Sequence, residues 1–107
     1  MNTLPQNEIV VLDVAGSHAR VAVTRPDTLL ESLGFVMSGD RFERPIADEA
    51  DRERLIRSLI DLRALFVRGR DWSPAEVADY LRDQGKINGP FRRIMWRTPV
   101  EYLVSEE

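Results

Sequence analysis

The sequence predicts an α+β fold in the order ββαββααβ, on the strength of three features. Short runs rich in β-branched residues flank Gly16-Ser17-His18, the stretch from Ala47 to Arg68 repeats its apolar residues with a helical period, and Trp72-Ser73-Pro74-Ala75-Glu76-Val77 carries a complete helix-start pattern. In the predicted arrangement two hairpins form an antiparallel sheet, the long helix packs across one face, and the C-terminal helices with a last strand complete the core. The 107 residues make one domain, residues 1–107. A chain of this size buries about 60 to 65% of its unfolded surface, enough for a core without metals or disulfides.

Met1 to Asn7 is polar, contains a proline, and reads as a flexible tail. Glu8 to Ala15 is β-branched, and Ala19, Val21 and Val23 share one face of the run to Thr24, so Gly16-Ser17-His18 joins a hairpin. Val10, Leu12 and Val14 on one side and Ile9 and Val11 on the other make the first strand apolar on both faces. Both faces are therefore expected to be covered, by helices or by the second subunit of a homodimer. Pro26 ends the second strand, Thr28 and Glu31 have capping-box spacing, and Gly34 closes a short helix through Leu29, Leu30 and Leu33. Phe35 to Met37 and Arg41 to Ile46 flank Ser38-Gly39-Asp40 as a second hairpin, with Pro45 implying an edge or a strand end.

From Ala47 to Arg68, Leu55, Leu59, Leu62 and Phe66 fall on one line at 100° per residue, with Ile56, Ile60 and Val67 beside it. Asp48 and Glu49 suit the positive end of such a helix, and Gly69 can take the left-handed closing conformation. Arg52 and Arg63 fall inside the apolar band, where each is expected to snorkel at its edge or to pair with a carboxylate such as Asp13. The next helix runs from Pro74 to Gln84. Ser73 is its N-cap, Glu76 closes the capping box, Trp72 and Val77 form a hydrophobic staple, and Val77, Tyr80 and Leu81 point inward. Asn88-Gly89-Pro90 is a turn that starts a third helix to Trp96, and Val100 to Val104 is a last strand with Val100, Tyr102 and Val104 on one face.

Composition narrows the chemistry. The absence of cysteine removes thiol nucleophiles and cysteine-based zinc sites. With neither a leader-like start nor a stretch of about 20 apolar residues, the chain reads as cytoplasmic rather than membrane-bound. Asp13, Ser17 and His18 lie close together in sequence, but the G-x-S-x-G frame of a hydrolase elbow is missing. A single histidine and acids scattered as Asp40/Glu43 or Asp48/Glu49/Asp51/Glu53 match no metal-ligand loop, and no phosphate-binding glycine motif occurs. No catalytic, cofactor or metal residues are assigned, and the protein is expected not to be an enzyme.

What remains is binding. The net charge is −3, yet Lys86, Arg92, Arg93 and Arg97 stand between Gln84 and Val100 with no acid among them. Together with Phe91, Trp96 and Tyr102 they are of the types enriched at interface hot spots. The expected function is accordingly that of a small adaptor or regulatory protein gripping a protein partner through Lys86, Phe91, Arg92, Arg93, Trp96, Arg97 and Tyr102. The alternative is nucleic acid. Ser73 to Leu81, SPAEVADYL, resembles the second helix of many helix-turn-helix proteins, and that resemblance implies a winged-helix half over residues 50–104, with Pro90 to Trp96 as recognition helix offering Arg92, Arg93 and Arg97 to DNA.

Overall fold

Ile9–Asp13 (β1) sends Ile9 and Val11 to one face and Val10 and Leu12 to the other, and its first three residues are buried, as befits a strand in the middle of a sheet. The computed structural model describes residues 3–24 and 29–107, so Pro26 and the Thr28 half of the expected capping box lie outside the described residues. After β1 come His18–Val23 (β2), Leu29–Ser32 (α1), Val36–Ser38 (β3), Arg41–Pro45 (β4), Glu49–Asp61 (α2), Leu65–Val67 (β5), Pro74–Asp83 (α3), Arg92–Thr98 (β6) and Glu101–Glu106 (β7). Among the described residues the strands form one sheet in the order β3-β4-β2-β1-β5-β6-β7.

Both expected hairpins are present, β1 with β2 and β3 with β4, each antiparallel. The predicted architecture nevertheless needs correction. β5 lies parallel to β1 and β6 parallel to β5, so the sheet has seven strands in mixed directions rather than two antiparallel hairpins under one long helix. Parallel neighbours need a crossover, which α3 supplies between β5 and β6. Both longer helices pack on the same face. Leu55, Ile56 and Leu59 of α2 and Val77, Ala78 and Leu81 of α3 close over Ile9, Val11, Ala19, Val21, Phe66 and Phe91.

The expected helix from Ala47 to Arg68 stops at Asp61. Leu62 caps it, Arg63 turns to φ 64°, and Ala64 begins a buried apolar run that becomes β5. Leu62 and Phe66 keep the helical spacing, but four consecutive apolar residues from Ala64 to Val67 fit equally a strand covered on both faces. The predicted third helix, Pro90 to Trp96, is instead strand β6. Its residues alternate: Phe91 joins the helix-side core, Ile94 and Trp96 the opposite cluster. The recognition helix that the winged-helix reading requires is therefore a strand. Arg52 and Arg63 also find partners other than Asp13. Arg52 binds Glu49 and the carbonyls of Val14 and Gly16, Arg63 pairs with Glu106, and Asp13 pairs with Arg20.

The helix-free face carries a smaller cluster of Val10, Ala22, Leu65 and Ile94, with Leu4, Leu12, Val67 and Trp96 packed against it. The far side of β1 is thus covered from within the chain, in part by the segment read as a tail. Thr3 N–H donates to the Pro99 carbonyl at 2.7 Å, the Trp96 indole donates to the Thr3 carbonyl at 2.9 Å, and Thr24 Oγ1 donates to the Pro5 carbonyl at 2.8 Å. These bonds lay residues 3–5 along the sheet. Between α1 and β3, Gly34 (φ 94°) lets the chain turn against Arg44 of β4, whose Nε lies 3.3 Å from where a Cβ would stand.

Candidate functional site

The C-terminal hairpin is built by its turn. Pro99 cannot donate to a ladder, and Thr98 Oγ1 accepts from the N–H groups of Val100 at 3.3 Å and Glu101 at 3.0 Å, reversing the chain. β7 then pairs with β6 through Ile94↔Val104, Met95↔Leu103 and Trp96↔Tyr102. Among the described residues nothing pairs with its other side, and all six of its residues are exposed. The reciprocal backbone bonds between Phe91 and Glu107 set the phase of the ladder. By antiparallel alternation, the N–H and C=O groups of Tyr102, Val104 and Glu106 point away from β6 toward the open edge.

An apolar surface accompanies this edge. Tyr102 and Val104 stand on the helix-free face beside the half-buried Trp96, whose ring meets Tyr102 edge-on with centroids 6.2 Å apart. Leu103 stands on the other face beside Met95, and it is 49% exposed. A groove of about 270 Å³ runs there, lined by Arg68, Arg93, Met95, Leu103 and Ser105 among others.

The residues singled out from sequence divide into two groups. Phe91 is buried and meets Phe66 edge-on at 5.4 Å. Arg93 is only 6% exposed. It makes a bidentate pair with Asp79 of α3 at 2.8 and 3.0 Å and lies 4.3 Å over the Phe91 ring. Its Nε–H is buried without a hydrogen-bond partner among the described residues, the Glu107 carboxylate lying 3.5 Å away. The hydrogen bonds from Arg93 hold the Asp79 carboxyl below its ordinary range, and Asp79 in turn raises Arg93. Arg92 is held on the opposite face by Glu8, at 2.9 and 3.1 Å, and by the carbonyl of Arg63. These three residues serve the interior. Lys86, Arg97, Trp96 and Tyr102 remain wholly or partly at the surface, and the structure brings Arg97, Trp96 and Tyr102 together on the hairpin while Lys86 sits apart after α3.

Sequence reasoning passed over Leu103 and the open edge itself. The available signal was Tyr102-Leu103-Val104, an apolar run that gives a strand apolar side chains on both faces. Tyr80, expected inward, is instead 50% exposed. It meets Trp72 edge-on at 5.6 Å, so Trp72 packs outward on Tyr80. Ser73 directs its hydroxyl to the Glu76 carboxylate at 3.1 Å rather than capping a backbone N–H. Near the first turn, His18 touches Ser17 at 3.0 Å while the Asp13 carboxylate is bound by Arg20 and by the Ala15 N–H. No helix among the described residues is long and apolar enough to cross a membrane. Comparison with protein-family models, with curated proteins and with solved structures finds no match to this chain.

Proposed function

We propose that this protein is a non-enzymatic adaptor that takes an extended segment of a partner protein as an additional strand on β7. The observation that carries this reading is the open edge of β7, with outward backbone groups at Tyr102, Val104 and Glu106 and apolar side chains on both faces. An unpaired edge of this kind is normally blunted by charge, proline or a covering segment, because it templates pairing with another chain. Here the centre of the strand, Tyr102-Leu103-Val104, carries neither charge nor proline, and no described segment covers it. Main-chain bonds to the partner supply affinity, and the side-chain pattern selects an uncharged, alternating segment. The opposite edge, β3, also exposes Val36 and Met37, but it is three residues long against six for β7 and offers about half the ladder.

The contact region is the C-terminal segment expected from sequence, but its composition differs. Trp96, Arg97 and Tyr102 stay in the surface, joined by Met95, Leu103 and Val104, whereas Phe91, Arg92 and Arg93 support it from inside. Affinity capture with the wild-type chain and with Leu103→Lys separates these roles. The substitution places a charge at the centre of the edge without touching the core, and it is expected to weaken retention of the partner by at least about tenfold. Val36→Lys on the other edge is expected to leave retention unchanged. Equal retention by the Leu103→Lys chain contradicts the reading. A mass that grows with concentration in sedimentation, and that Leu103→Lys reduces to the monomer, would make the occupant a second copy and overturn the adaptor reading.

A further inference from the structure

A second candidate site lies where β1 and β5 terminate. Ala15 follows β1, Trp72 follows β5, and a cleft of about 330 Å³ opens between them, the start of α2 and one side of α3, lined also by Glu49, Arg52, Val77, Tyr80 and Leu81. Crevices at the carboxyl ends of parallel strands are the usual place for ligands in open sheets, and this volume suits a ligand of about one ring.

Two aromatic rings form one wall. Trp72 is 55% exposed and Tyr80 half exposed, and they meet edge-on. The backbone that presents Trp72 is itself unusual, because Asp71 (φ 56°) and Trp72 (φ 61°) are consecutive non-glycine residues in the left-handed region. Such a conformation costs free energy, and what it achieves here is an indole held out over the cleft instead of folded into the core.

Arg52 forms another wall. Its Nη1 donates to the carbonyls of Val14 and Gly16, which fix its direction but leave its charge intact. Its ion-pair partner is Glu49, reached at 3.1 to 3.3 Å through Nε and Nη2. The two side chains differ sharply in setting: Arg52 is 14% exposed and Glu49 82%. A carboxylate that exposed can leave at little cost, whereas the guanidinium behind it cannot move without breaking its carbonyl bonds.

We infer that the cleft binds a small carboxylate carried on a flat ring, its acid group displacing Glu49 from Arg52 and its ring packing against Trp72 and Tyr80. Glu49 then acts as a stand-in for the ligand's own carboxylate. The inference is independent of the β7 edge, which lies on the far side of β5 and β6. It is tested by following the Trp72 indole and the Ala15 amide by NMR in the intact chain, titrated with phenylacetate and, as a probe of opposite charge with the same ring, benzylammonium. Phenylacetate is expected to shift both resonances saturably, to bind about fivefold or more tightly once Glu49→Gln removes the competing carboxylate, and to bind more weakly in Tyr80→Ala. Benzylammonium is expected to leave them in place. A response to benzylammonium as large as that to phenylacetate, an unchanged or lowered phenylacetate affinity in Glu49→Gln, or no saturable response to phenylacetate overturns the inference.

Discussion

Asp79→Ala is expected to destabilise the protein by about 2 to 3 kcal/mol, read as a lowered midpoint in urea unfolding with an unchanged slope. Asp79 itself is partly exposed, so little of this loss comes from its own packing. The loss comes from Arg93, a guanidinium almost wholly removed from water whose two terminal nitrogens both bind Asp79. Without Asp79 the remaining counter-charge is Glu107 at 3.5 Å, an exposed carboxylate that gives weak compensation. Removing the cation instead leaves a different situation. Arg93→Met keeps an unbranched side chain over Phe91, and Asp79 retains Arg82 at 2.9 Å, so the expected cost is about 1 kcal/mol. The double variant should lie close to Arg93→Met, since no stranded charge remains. A cost for Asp79→Ala no greater than that of Arg93→Met would contradict this account of how α3 is fastened to β6.

The second large effect belongs to Asp51, near the start of α2. Its carboxylate accepts from Arg44 at 2.8 and 3.1 Å and from the Ala47 N–H at 2.9 Å, tying β4 to the helix, while its own N–H is capped by Asp48 at 2.8 Å. The hydrogen bonds from Arg44, then that from Ala47, lower its pKa from 3.8 to about 2. Because the folded value lies below the unfolded one, the stabilisation is complete above pH 3.8 and disappears as the pH falls toward about 2. Asp79 is shifted in the same direction. Asp51→Asn is therefore expected to cost about 2 kcal/mol at neutral pH and much less at the acid end of that window, with a flatter dependence of stability on pH than the wild type. Parallel slopes in the two proteins between pH 3.8 and about 2 would show that Asp51 does not carry the acid sensitivity.

These two clusters also show what was legible in the sequence. The hairpins at Gly16-Ser17-His18 and Ser38-Gly39-Asp40 were, because strand-forming residues flank turn residues within a few positions. So was α3, whose Pro74 start and Gly85 stop (φ 73°) obey local backbone rules. The strands β5 and β6 were not. Phe66 satisfies a helical period and a strand period alike, and the break that decides between them is a left-handed arginine, Arg63, a residue type that carries no such preference. For β6, Asn88-Gly89-Pro90 marks a turn without specifying the element after it, and only the partnership with β5 and β7 makes Arg92–Thr98 a strand.

The same dependence on distant partners governs the candidate site. Charge balance along the chain showed arginines without neighbouring acids between Gln84 and Val100, yet their partners are Glu8 and Asp79, 84 and 14 positions away. Local asymmetry in sequence was resolved by pairing in space. What remained at the surface, the apolar centre of β7, was visible as Tyr102-Leu103-Val104 only once the strand order made it an edge.

The central claim is that the free edge of β7 becomes the seam of a shared sheet, and amide hydrogen exchange read by NMR, with and without the captured partner, tests it most directly. In the isolated chain the amides of Leu103 and Ser105, which face β6, should exchange slowly, and those of Tyr102, Val104 and Glu106 should exchange fast. With the partner bound, these three are predicted to slow by at least about tenfold, in alternation along the strand. Partner binding that leaves Tyr102, Val104 and Glu106 exchanging as before, while protecting another surface, would contradict the account.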